Sequence, residues 1–121
     1  MKRVLCIDDS NVIKVNAEMI ITKNGLEYEH AYDGKEAIDI LNSGLEINII
    51  LCDINMPNMN GIEFLEWIKS NDSFKFIPVV MLTTETEVSM MQKAKKIGAS
   101  GWVIKPFDED TLITVIKKFI R

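Results

Sequence analysis

The 121-residue chain is poor in the residues that announce many chemistries. It has one His and two Cys, no CxxC spacing, and no basic run longer than two among its 14 Lys and Arg. The thiols of Cys6 and Cys52 lie inside apolar segments without a neighbouring His, which reads as two buried free cysteines rather than a zinc or redox site. Formal net charge is -4, so a nucleic-acid footprint is absent as well. The longest apolar stretches, "INIIL" and "IPVVML", are far too short to span a bilayer, and no signal-peptide core precedes the first strand-like segment. A cytoplasmic protein acting without a membrane or nucleic acid is the expectation.

What is present is the composition of an ordinary globule, 47% hydrophobic and 26% charged, at the size of one domain. Short β-branched runs at 3–7, 27–32, 48–52, 77–82 and 101–105 alternate with helix-period segments near 11–24, 34–43, 61–71, 86–97 and 108–120. The last helix is the clearest: Leu112, Val115, Ile116 and Phe119 fall at i, i+3, i+4 and i+7, with Lys117, Lys118 and Arg121 off that stripe. The third and fourth strand segments are almost wholly apolar, as parallel strands covered on both faces must be. The pattern is an α/β fold, a doubly wound (βα)5 with a five-stranded parallel sheet.

Such sheets bind ligands beyond the carboxyl ends of their strands. There the sequence puts Asp8 and Asp9 after the first strand, Asp53 after the third, Thr83 and Thr84 after the fourth, and Lys105 and Pro106 after the fifth. Three carboxylates brought together repel one another unless a cation relieves them. Oxygen donors alone favour Mg²⁺ or a similar hard ion. Lys105 supplies a point charge and Thr83 a hydroxyl donor, the groups that stabilise a phosphoryl group in transfer. Asp8 and Asp9, being adjacent, suit a metal-holding pair, which leaves Asp53 as the nucleophile. Each of these residues alone has a bland reading, an N-cap for Asp or Thr and a solvated Lys. Their joint occurrence at several strand ends favours the functional one.

The stretch "DINMPNMNG" at 53–61 also resembles the start of a calcium loop, but counting from Asp53 the positions needing Gly and Glu hold Asn58 and Phe64. A haloacid-dehalogenase-like phosphatase would need a second Asp where Asn55 stands. A flavodoxin-like FMN carrier would need a Thr/Ser/Gly-rich loop where "DDSNVIK" stands.

The stretches "VLCIDDS", "ILCDINMPNMNGIEFL", "PVVMLTTE" and "GWVIKPF" resemble the receiver domain of bacterial two-component response regulators over the whole chain, 1–121, with no output domain expected. The resemblance implies the flavodoxin-like strand order 2-1-3-4-5 and Asp53 as phosphoacceptor. It implies Mg²⁺ held by Asp8, Asp9, Asp53 and the backbone carbonyl of Asn55, and phosphoryl contacts from Thr83 and Lys105. It further implies a cis peptide between Lys105 and Pro106, a switch pair of Thr83 and Trp102, and Asn55 and Glu85 as the side chains that tune dephosphorylation. Trp67 is read as packing.

A single-domain receiver with these residues looks like the chemotaxis group. That implies a monomer, a signalling switch and not an enzyme, phosphorylated by a histidine kinase, acting on a flagellar motor switch protein or another effector, and served by a phosphatase. A phosphorelay intermediate, a receiver for another pathway and a fragment of a longer regulator remain alternatives. One departure bears on the partner: Glu87 and Val88 stand where the best-known chemotaxis regulators carry adjacent lysines, and Met90 and Met91 are candidates for either a contact surface or core.

Overall fold

A computed structural model describes residues 1–121, apart from the side chain of Val88. Five strands and five α-helices alternate: β1 (Arg3–Ile7), α1 (Asn11–Lys23), β2 (Glu27–Ala31), α2 (Gly34–Asn42), β3 (Ile49–Asp53), α3 (Gly61–Lys69), β4 (Val79–Thr83), α4 (Met91–Ile97), β5 (Gly101–Ile104) and α5 (Glu109–Phe119). All strand pairs are parallel and the order is β2-β1-β3-β4-β5.

Alternation along each strand divides the core in two. Leu5 and Ile7 of β1, Ile50 and Cys52 of β3, and Val79 and Met81 of β4 face α2, α3 and α4, where Ala37, Leu41, Phe64, Leu65, Ile68, Met91 and Ala94 meet them. The intervening Val4, Cys6, Ile49, Leu51, Val80 and Leu82 face α1 and α5, against Ala17, Ile21, Leu112, Ile113 and Ile116. Both faces are therefore dry, which explains why β3 and β4 read as continuous apolar runs. The two cysteines are free and buried, and burial pushes the Cys6 thiol up to about 12 and Cys52 well above its ordinary value. Trp67 packs between Phe64 and Phe74, as expected of it.

Helix starts are set by side-chain caps. Ser10, Asp33 and Asp108 accept from the amides of Ile13, Glu36 and Thr111, and Asn60 forms a reciprocal capping box with Glu63. The strand bounds move by one or two residues from the sequence reading. The fourth helix differs more: the segment expected to be helical from 86 is a 3-10 turn over Glu85–Met90, and the α-helix begins only at Met91. The Glu87 amide donates to the Thr84 carbonyl at 3.0 Å, an i to i+3 bond. The Glu87 carboxylate returns to the Thr84 amide at 2.8 Å and holds the turn tight. Met91 is buried and Met90 packs half-buried on the same core, so these methionines are core rather than contact surface. The side chain of Val88 lies outside the described residues.

Candidate functional site

Four strands deliver the site. Their ladders continue past the last paired residue: the Asp8 amide donates to Ala31 O at 3.0 Å, the Ile54 amide to Leu82 O at 3.3 Å and the Lys105 amide to Thr83 O at 2.6 Å. These bonds tie the residues just beyond the strands to the sheet. Gly61, at the start of α3, makes the approach to Asp53 possible. A Cβ there would fall on the Asp53 carbonyl oxygen and 2.9 Å from Ile54 Cα, so only hydrogen fits.

At the carboxyl edge, oxygens of Asp8, Asp9 and Asp53 lie within 4.8 Å of one another. Asp8 and Asp53 are buried and Asp9 is exposed, so the cluster opens to solvent on the Asp9 side. Lys105 Nζ donates to Asp53 Oδ1 at 2.9 Å and to Asp8 Oδ2 at 3.3 Å, while the Ser10 amide holds Asp8 Oδ1 at 2.9 Å. The peptide bond between Lys105 and Pro106 is cis.

Burial raises the Asp53 carboxyl, the Lys105 hydrogen bond opposes this and the Asp8 charge adds to it, leaving the group at about 6. For Lys105 burial works downward, but the hydrogen bond and charge of Asp53, followed by those of Asp8, outweigh it and hold the amine above its ordinary value. Thr83 is fully buried and its Oγ1 has no hydrogen-bond partner among the described residues. A buried hydroxyl without a partner is costly, and here it stands at the end of β4 beside Lys105. The donor set of three carboxylates fits a hard divalent cation, with the lysine balancing part of the charge in its absence.

Two side chains lie at the site that the sequence reading did not assign to it. The one histidine, His30, is nearer the site than expected: its Nε2 lies 2.9 Å from Asp8 O and its Nδ1 2.7 Å from the Tyr28 hydroxyl. It buttresses the Asp8 backbone and does not join the carboxylates. Its position follows from the pairing of Cys6 with His30 between β1 and β2, which requires the strand order to be known. The second is Glu87. Asn55 was expected to work with Glu85, but Asn55 Nδ2 donates to Glu87 Oε2, and Glu85 is exposed. The tight turn after Thr84 points residue 87, not residue 85, across the mouth. Trp102 stands on β5 and is 45% exposed, close to the exposed Ile104. A cleft of about 500 Å³ between Lys69, Phe76 and Lys118 opens at the opposite end of the sheet and has no part in this cluster.

The model of a known family, the response regulator receiver domain, matches residues 4–117. The chain belongs to that family. This receiver is 33% identical over 118 residues to protein PilG of Pseudomonas aeruginosa, covering 98% of this chain and 87% of that protein. It is 32% identical over 114 residues to chemotaxis protein CheY1 of Helicobacter pylori, covering 91% and 90%. Among solved structures it is similar to chemotaxis protein CheY4 of Vibrio cholerae, at a TM-score of 0.90 and 37% identity over 98% of each chain. The family functions as a signalling switch, which implies a histidine kinase as phosphodonor and a downstream target. Among the described residues no helix is long and apolar enough to cross a membrane.

Proposed function

We propose that the receiver is a cytoplasmic switch that takes a phosphoryl group from the phosphohistidine of a histidine kinase onto Asp53. The carboxyl group, at about 6, is ionised at neutral pH, and the oxygen not held by Lys105 is the one free to attack. An O–P bond forms as the N–P bond of the donor breaks, and the released imidazole nitrogen takes up a proton. Lys105 follows the charge from Asp53 to the phosphoryl oxygens, and the Thr83 hydroxyl donates to one of them. Asp8, Asp9, Asp53 and the Asn55 carbonyl would hold Mg²⁺, which supplies positive charge to the transferred oxygens when bound. Asp53 is released again by water, so the chain promotes its own phosphorylation and dephosphorylation and transforms no separate substrate.

The single observation that carries this reading is the buried Thr83 hydroxyl with no partner, beside a lysine already bonded to the acceptor acid. It is a donor held ready for an oxygen that arrives with the phosphoryl group. Bonding it draws Thr83 inward and vacates space for Trp102, shifting a pre-existing equilibrium of the face formed by α4, β5 and α5. The names of two relatives support chemotaxis as the pathway; a flagellar motor switch protein as the target and a phosphatase that ends the signal complete the reading. Glu87, acidic where a lysine is usual in that group, favours an effector of different charge or a phosphorelay partner as the second reading.

Intact mass and tryptophan fluorescence of the wild type and Asp53→Asn, mixed with acetyl phosphate with and without Mg²⁺, test the proposal. The wild type is expected to gain one phosphoryl group, only with metal, together with a fluorescence change. A gain that persists in Asp53→Asn, or none in either, refutes it.

A further inference from the structure

Glu87 is joined to both sides of the site mouth. Its Oε1 accepts from the Thr84 amide at 2.8 Å, and its Oε2 accepts from the Asn55 side chain in the loop between β3 and α3. Thr84 follows directly on Thr83, and the turn that Glu87 closes runs without a break into α4. One carboxylate therefore ties the acceptor loop, the end of β4 and the start of α4 together. Its charge also reaches Asp53, where it opposes ionisation.

We infer that Glu87 is a charge-operated latch: it holds the 85–90 turn closed while Asp53 is bare, and the phosphoryl group at Asp53 drives it out. The inference rests on Asp53 being the acceptor. Phosphorylation replaces the single charge of the Asp53 carboxylate with roughly two on the phosphoryl oxygens, a net gain of about one negative charge beside Asn55. Glu87, whose charge already opposes ionisation of Asp53, then faces added like charge while its two hydrogen bonds hold it in place. Leaving breaks both bonds at once, frees the Thr84 amide and unties the turn from the acceptor loop. The 85–90 turn loosens and α4 is released at its first residue, Met91. Glu87 is thus a positioning residue that couples charge at Asp53 to the position of α4.

The charge can be separated from the hydrogen bonds. In Glu87→Gln the amide oxygen still accepts from Thr84, and Asn55 can turn its own oxygen to the new NH₂ group. Glu87→Ala removes both links. Hydrogen exchange of the full chain, read at residues 85–90 by mass spectrometry under saturating Mg²⁺, follows the turn with and without acetyl phosphate, and the intact mass of each sample gives the phosphorylated fraction.

Without donor, Glu87→Ala should exchange about tenfold faster than wild type and Glu87→Gln within about threefold of it. With donor, the wild type should speed up about tenfold per phosphorylated molecule, and Glu87→Gln less than about threefold. An equal acceleration in wild type and Glu87→Gln, or a phosphorylated wild type whose turn does not loosen, overturns the latch. Absence of a mass gain in wild type overturns the acceptor role itself, and the latch with it.

Discussion

Replacing Asp53 by Asn should stabilise the metal-free protein at neutral and alkaline pH. Asp53 is 3% exposed, and its carboxyl sits at about 6 against an ordinary 3.8, so the folded state tolerates the charge less well than the unfolded chain. Between about 4 and about 6 the folded protein keeps the proton that the unfolded chain has lost. Stability from this group is therefore full below about 4, falls as pH rises, and reaches its minimum above about 6. The difference of about two pH units corresponds to about 3 kcal/mol. Solvent entering on the Asp9 side screens part of it and leaves about 2 kcal/mol.

An amide resembles the protonated acid in shape and charge, so Asp53→Asn should be more stable than wild type by about 2 kcal/mol at pH 8. The gap should narrow to about 1 kcal/mol at pH 5. Urea denaturation of both proteins in EDTA at the two pH values measures it. His30, held below its ordinary value by burial, shifts stability in the opposite sense, but it is present in both proteins and cancels in the difference. A variant no more stable than wild type at pH 8, or a gap that stays constant as pH falls, would refute the claim that burial of the Asp53 charge is costly. Added Mg²⁺ should favour the wild type and close the gap.

Thr83→Val exchanges an unpartnered buried hydroxyl for a methyl of similar size, so stability should rise by about 1 kcal/mol while the fluorescence response to acetyl phosphate is lost. A loss of stability in denaturant would mean that the hydroxyl already has a partner. Gly61→Ala puts a methyl onto the Asp53 carbonyl and should cost about 3 kcal/mol or more by chemical denaturation, slowing phosphorylation as well, because neither obstructing backbone atom can move aside. A cost under about 1 kcal/mol would show that the junction of β3 and α3 yields.

Periodicity by itself determined the (βα)5 alternation, because strands dry on both faces can hold little but Val, Ile, Leu, Met and Cys, and a helix covering them must repeat its apolar side every three to four residues. It also determined which acids end strands, since Asp8, Asp9 and Asp53 interrupt those runs at their last position. The order of the strands was not in the pattern: it came only with the family resemblance and is now seen in the sheet. Tertiary structure decided the rest. Lys105 and Asp53 are 52 residues apart, and their bond of 2.9 Å exists only because β4 lies between β3 and β5 and ends level with them. His30 meets Asp8 through strand pairing that no local signal encodes. Glu87 faces Asn55 because a carboxylate captured the Thr84 amide and tightened a segment whose sequence reads as ordinary helix. Local pattern reports burial and period; which side chain crosses the mouth depends on backbone bonds made between distant segments.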